Sequence, residues 1–231
     1  MTKEFDIVVH GATGFTGRLI AEYLLTRADT GLKWAMGGRS IDKLQAVRDE
    51  IGAPVSTPLI VIESSDDASL KSLMAKTRLV ISAVGPYQLY GNELIQACAE
   101  SGVDYVDLCG EPAWMRKMID QHQATAEKTG ARLVFSCGFD SSPFDLGVFM
   151  AQAEMTKKFG KPAPRVRGRV RKMKGTFSGG TAASFKATMA AAATQPGVID
   201  LLKNPFSLTP GFEGPRQPTG HKPMVEIGRA H

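Results

Sequence analysis

Cysteine is scarce in this chain. Its 231 residues hold three, Cys98, Cys109 and Cys137, in no CxxC or CxxH pairing. That excludes a disulfide framework and a cysteine-based zinc site, and it fits a reducing cytosol. Long apolar runs are missing as well: no stretch approaches the roughly 18 apolar residues of a membrane span. No basic-then-apolar leader follows Met1. The four histidines, His10, His122, His221 and His231, are scattered and suggest neither a metal site nor a triad. His10 reads as a packed strand terminus. No internal repeat is seen, and the 24 glycines show no triplet period, which excludes a collagen-like chain. A hydrophobic share of 43% excludes a disordered one. The expected location is cytoplasmic, with membrane or lipid association left open.

Acidic residues are absent from 156 to 175, a segment that holds nine Lys and Arg. The whole chain has 28 basic and 23 acidic residues, a net +5. Without those nine, 19 basic residues face 23 acidic ones. A mildly acidic body therefore carries one basic segment.

What the chain does have is alternation. Short apolar runs rich in β-branched residues (Phe5 to His10, Lys33 to Met36, Leu59 to Glu63, Leu79 to Ala83, Asp104 to Leu108, Leu133 to Ser136) alternate with stretches of helical period. The helices are expected at Phe15 to Arg27, Ile41 to Ile51, Asp67 to Lys76, Asn92 to Ser101 and Trp114 to Thr129. Strand followed by helix, five times over, predicts a parallel sheet covered by helices on both faces over residues 1–145. The pattern then changes. Phe144 to Phe159 reads as a linking helix, Arg165 to Arg171 alternates strictly and reads as a strand with one basic face, and Ala182 to Thr194 reads as an alanine-rich helix. Six of the thirteen prolines fall after Gln195, which excludes a long helix or central strand there.

The strongest chemical signal is Gly11-Ala12-Thr13-Gly14-Phe15-Thr16-Gly17, directly after the first strand and opening a helix. A chain that turns sharply, approaches a pyrophosphate and packs a helix tightly on a strand needs residues without a β-carbon. The helix start supplies free N–H groups for the anion. The spacing is GxxGxxG rather than GxGxxG. After the second strand, where an NAD-binding chain would carry an acid, stand Arg39 and Ser40, with Lys43 close behind. A guanidinium suits a 2′-phosphate, so NADP(H) is the expected cofactor. Asp66, after the third strand, either flanks the adenine or caps the next helix, as does Ser65. Ala83-Val84-Gly85-Pro86, after the fourth, either passes along the nicotinamide ribose or forms a simple turn.

Taken together, GATGFTG, GGRS, AVGPY with Gly91 behind it, GVDYVDLCGE (102–111), SCGFDSSPFDLG (136–147) and SGGT resemble the saccharopine dehydrogenase-like oxidoreductases, including the trans-acting enoyl reductases of lipid biosynthesis. The resemblance covers about residues 5–195. It implies an NADP-linked Rossmann domain (1–145) followed by a substrate and dimerisation domain on a mostly antiparallel sheet. Members in general are longer, so 146–225 reads as a linking helix and a partial α+β domain. The final Glu226 to His231 resembles translated sequencing adapter and is not expected to belong to the native fold.

The expected function is NADP-dependent reduction of an enoyl or imine group on a metabolite or lipid precursor; the alternative is a module that holds NADP(H) without turnover. A reduction needs a proton donor, and Tyr87 is the first candidate, Asp140 the second; either also serves as a plain structural hydrogen bond. Asp104, Tyr105, Asp107 and Glu111 are expected around the fifth strand's end. Cys109 and Cys137 read as small buried apolar residues. Ser178-Gly179-Gly180-Thr181 either seats an anionic group or caps a helix. The expected partners are a small-molecule or acyl substrate and a second copy through the second domain; the basic strand is either a solvated sheet face or the seat of an anionic partner, an acyl carrier surface or lipid. Nucleic acid is not expected, because no aromatic residues interleave with the arginines.

Overall fold

The computed structural model describes residues 3–27, 31–139, 141–172, 174–175, 178–212 and 214. Asp140 and the tail 226–231 lie outside them.

Six strands, β1 (Phe5–His10), β2 (Trp34–Gly38), β3 (Leu59–Val61), β4 (Thr77–Ser82), β5 (Asp104–Asp107) and β6 (Leu133–Val134), form one sheet in the order β3-β2-β1-β4-β5-β6. Every pairing is parallel. Parallel neighbours need crossovers, and helices supply them: α1 (Phe15–Leu25), α2 (Ile41–Glu50), α3 (Asp67–Lys76), the short α4 (Tyr87–Tyr90), α5 (Asn92–Ser101) and α6 (Pro112–Thr129). The chain builds outward from β1 to β3, then crosses back to lay β4 against the other side of β1. The strand order reverses there, and loops diverge at the carboxyl ends of β1 and β4.

Side chains of successive strand residues point to opposite faces, so the sheet has two cores. On one face Val8, Ala35 and Val80 meet Leu70, Leu73, Leu94, Ile95 and Met118 from α3, α5 and α6. On the other, Val9 and Met36 meet Ala21, Leu24 and Leu44 from α1 and α2. Local signals place the helices. Ser40 and Asp66 cap α2 and α3 by accepting backbone N–H bonds, and Pro112 opens α6 at a position whose N–H has no intrahelical partner.

Beyond β6 come α7 (Ser142–Phe159), α8 (Gly179–Thr194) and α9 (Val198–Lys203). The expected strand at 165–171 is not formed: these residues are exposed, with no strand pairing. Alternation alone does not make a strand, because its N–H and C=O groups need a neighbour's ladder. No strand follows β6 among the described residues. The proline-rich stretch does dock. Val198 is buried, α9 lies against α6, Arg116 Nη1 donates to the Ser207 carbonyl at 3.3 Å, and Leu208 packs on the core. By contrast α7 has no buried residue, and Leu146, Phe149 and Met150 stand in solvent.

The two environments predict opposite mutational costs. Leu44→Ala, at 0% exposure, is expected to destabilise by about 2–5 kcal/mol. Leu146→Ala, at 58%, is expected to stay within about 0.5 kcal/mol. Urea melts of both variants check this; a large loss at Leu146 would mean that α7 is covered in solution.

Candidate functional site

The glycine loop is built by close approaches that no side chain permits. Gly11 follows β1 with φ 89°, a left-handed backbone; a β-carbon there would stand 2.8 Å from Val84 Cγ2. At Gly17 a β-carbon would overlap the Gly11 carbonyl and lie 2.9 Å from Ala12 Cα. The loop is pinned to β2, since the Gly11 and Ala12 N–H groups both donate to the Gly37 carbonyl. It is pinned to β4 by the Ala83 N–H donating to the His10 carbonyl at 2.9 Å. Helix α1 starts at Gly14 with no side-chain cap and no acid in its first turn. Its amino end is thus left to an anion.

A cleft of about 210 Å³ opens on this loop. Gly11, Thr13 and Gly14 form one wall, Gly38, Arg39 and Ser64 another, and Ala83, Val84 and Gly85 a third. An adjoining cleft of about 140 Å³ shares Arg39, Ser64, Val84 and Gly85 and adds Glu63 and Tyr90. Two larger hollows lie elsewhere, one of about 390 Å³ by Glu4, Trp34 and Pro58, the other of about 350 Å³ along α6 and β6. Neither is at the sheet's carboxyl edge, where open α/β sheets bind ligands.

Of the residues expected to hold the cofactor, Gly11, Thr13, Gly14, Arg39, Ala83, Val84 and Gly85 line the cleft. Gly17 packs helix on loop instead. Phe15 is exposed and Thr16 half-buried at the start of α1. Ser40 accepts from the Lys43 N–H, and Lys43 is exposed on the first turn of α2. Asp66 takes the capping role, accepting from the Ala68 and Ser69 N–H groups. Pro86 is buried behind the loop, after a cis Gly85–Pro86 bond. Sequence reasoning missed Ser64, Glu63 and Tyr90, and it gave His10 no place in the cleft. For His10, Glu63 and Ser64 the available signal was position at or just after a strand end; Tyr90, at the end of α4, gave none.

Tyr87 stands in α4, 4% exposed, with its ring against Trp114. Its hydroxyl donates to the Ser82 carbonyl at 3.1 Å, and Tyr87 is absent from the residues lining either cleft. Burial, reinforced by Asp107, pushes its ionisation far above the usual phenol range. Two buried carboxylates hold the surrounding loops. Glu111 accepts from the Tyr87 N–H at 2.9 Å, the Gln88 N–H at 3.0 Å and the Gln88 side-chain amide at 2.9 Å. Asp107 accepts from the Cys109 and Ser136 N–H groups and from the Tyr105 hydroxyl. Burial raises its pKa against the pull of those donors. Asp104 sits at the opposite end of β5, paired with Arg132, whose hydrogen bond holds its carboxyl below the usual range.

Cys109 is buried, as expected, and burial pushes its thiol up. Cys137 is exposed, contrary to expectation, because it follows the two-residue edge strand β6. Ser178 caps α8 by accepting from the Thr181 N–H at 3.2 Å. The same helix returns to the cleft: Ser184 Oγ would be 3.6 Å from a β-carbon on Gly85.

Residues 7–134 match the family of saccharopine dehydrogenase NADP-binding domains. A provisionally named trans-acting enoyl reductase of Mycobacterium tuberculosis is 41% identical over 209 residues, covering 90% of this chain and 50% of the relative. A trans-acting enoyl reductase of Mycobacterium ulcerans is 38% identical over 212 residues, with the same coverage. The chain therefore spans about half the length of these curated relatives. Among solved structures, apo saccharopine dehydrogenase (L-Glu forming) of Saccharomyces cerevisiae shares the fold, with a TM-score of 0.53 at 16% identity over 66% of this chain and 32% of that one.

His10 gives the site a pH signature. Burial, aided by Arg39 and opposed by Glu63, lowers its pKa from 6.5 to about 4. The unfolded chain takes up a proton near pH 6.5 that the folded chain refuses until about pH 4. The stability His10 contributes is therefore full above about pH 6.5 and is lost as pH falls toward 4, at up to about 1.4 kcal/mol per pH unit. Urea midpoints between pH 5 and 7 are expected to fall more steeply for the native chain than for His10→Gln.

Proposed function

Because this chain belongs to the family of saccharopine dehydrogenase NADP-binding domains, we propose that it seats NADP(H) across the carboxyl ends of β1, β2 and β4. On this reading it serves an oxidoreductase that reduces an enoyl or imine group of a metabolite or lipid precursor. The observation that carries the reading is Arg39. It stands exposed in the cleft wall one residue after β2, and makes no hydrogen bond or ion pair with another described residue. A free guanidinium there suits a 2′-phosphate, which an acid would repel. Lys43 adds a second exposed cation one turn on. The cradle fits the rest of the group, because the start of α1 at the cleft carries neither a side-chain cap nor an acid.

The bound nicotinamide would supply the hydride. Thr13, Gly14, Phe15 and Thr16 would meet the pyrophosphate at the start of α1, with Gly17 allowing that approach. Arg39, Ser40 and Lys43 would meet the 2′-phosphate, and Ala83 to Pro86 would border the nicotinamide ribose; Asp66, a cap, would act only through α3. Tyr87 is committed to the Ser82 carbonyl, so in this reading it shapes the loop, and the proton comes from another group, Asp140 being the remaining candidate. Residues 146–225 would form the linking helix and part of a substrate domain. The exposed apolar side chains of α7 would face further protein, a second copy included, and the exposed arginines of 165–171 an anionic acyl carrier or lipid. The same burial of Tyr87 favours a second reading, a module that holds NADP(H) without turnover.

Fluorescence titration is expected to show Arg39→Ala weakening NADPH by about 1–3 kcal/mol while NADH stays nearly unchanged; equal losses would sink the assignment. Following NADPH absorbance with enoyl thioesters separates enzyme from module. Where turnover is seen, Tyr87→Phe is expected to keep it within about twofold while costing about 1 kcal/mol of stability.

A further inference from the structure

One part-buried polar pair has no part in the fold's capping or in the loop clamps. His10, 2% exposed at the end of β1, places Nε2 2.9 Å from Ser64 Oγ, which follows β3. Strand β2 lies between them, and its last two residues there are Gly37, level with His10, and Gly38, level with Val61. The pair therefore joins two strands across a third whose end carries no side chains. Ser64 lines both clefts beside Arg39 and Val84. It does not cap α3, a task that Asp66 performs.

The direction of the hydrogen bond follows from the other ring nitrogen. Nδ1 of His10 is buried and has no partner among the described residues. The ring is neutral near pH 7, since its pKa is lowered to about 4 by burial, so one nitrogen carries a hydrogen and the other a lone pair. A buried N–H without an acceptor costs more than a bare lone pair, and orphaned N–H groups are the rarer case in folded chains. The hydrogen thus sits on Nε2, and His10 donates to Ser64 Oγ. That leaves the hydroxyl hydrogen of Ser64 without an acceptor among the described residues, in the wall of the cleft.

We propose that Ser64 is a specificity-determining contact to the adenosine end of NADP(H), donating its hydroxyl hydrogen to an acceptor there, and that His10 is the positioning residue that fixes this direction. The inference rests on the NADP(H) reading and names a contact within that site. A ring nitrogen of adenine and an oxygen of the 2′-phosphate share the required chemistry, and comparison of the two cofactors separates them.

The test is titration of NADPH and NADH against the native chain and its variants, with thermal melts alongside. Ser64→Ala is expected to raise Kd about 5- to 100-fold: for NADPH alone if the acceptor is the phosphate, for both cofactors if it is the ring. Tight native binding that Ser64→Ala leaves unchanged overturns the inference alone. A native chain that binds neither cofactor overturns the NADP(H) reading and this inference with it. For His10, the side-chain amide of His10→Gln supplies an N–H in place of Nε2–H and is expected to keep Kd within about threefold. His10→Leu is expected to lose as much as Ser64→Ala, with no further loss in the double variant. Additive losses, or a His10→Gln variant as weak as Ser64→Ala, overturn the positioning role. If His10→Leu does not fold, the Gln variant alone decides the point.

Discussion

The close approach of α1 to the end of β1 is the constraint from which the rest of the site follows. A helix packed this tightly on the loop before it leaves no room for a β-carbon at Gly17, where one would overlap the Gly11 carbonyl. Given that contact, α1 begins at the carboxyl edge of the sheet, and its free N–H groups open there rather than over the sheet's face. The same economy of side chains recurs on the neighbouring strands. Gly11 leaves space for Val84, and Gly37 leaves space for the Ile62 side chain. A side chain at Gly17 would push α1 off the loop, and one at Gly37 would displace Ile62. The cleft is thus made of absent side chains, with Arg39 and Ser64 added at its wall.

Loops at the far side of the cleft are held by a different device. They are too short for ladders of their own, so buried carboxylates take up their N–H groups: Glu111 those of α4, and Asp107 those of Cys109 and Ser136. Burying a carboxylate is costly unless it is hydrogen-bonded, and each of these accepts three bonds. Ser136 shows how firmly the arrangement is held. Its φ of 59° is uncommon for a residue with a side chain, yet its N–H is fixed by Asp107 and its hydroxyl donates to the Cys109 carbonyl at 2.6 Å. The edge of the sheet at β5 and β6 is therefore defined by side-chain acceptors more than by strand pairing.

What could be read from the chain, and what could not, divides along sequence distance. Strand β1 and helices α3 and α5 begin and end where local signals place them: a β-branched run before glycine, an aspartate cap at Asp66, a left-handed Gly102 after Ser101. Strand β3 stops at Val61, earlier than its apolar run suggests, so Ser64 reaches the cleft while Ser65 and Asp66 turn to local bonds. The segment 165–171 failed as a strand because alternation says nothing about a partner. Glu111 was visible only as an acid near a strand end; its hold on Tyr87 bridges 24 residues and leaves no periodic trace.

The return of α8 gives the glycine at position 85 a second meaning. Alone, Gly85 reads as a turn residue before Pro86. In the fold a β-carbon there would already touch the Tyr87 ring at 3.5 Å and Ser184 Oγ of α8 at 3.6 Å, so a larger residue would press on both. The chain after the sheet therefore does not simply lead away from the cleft; it doubles back to the wall formed by the β4 loop. Helix α8 has no buried residues and is rich in alanine, so it offers little apolar grip of its own against that wall. On the proposed reading, Ser184 would stand beside the turn that borders the nicotinamide ribose.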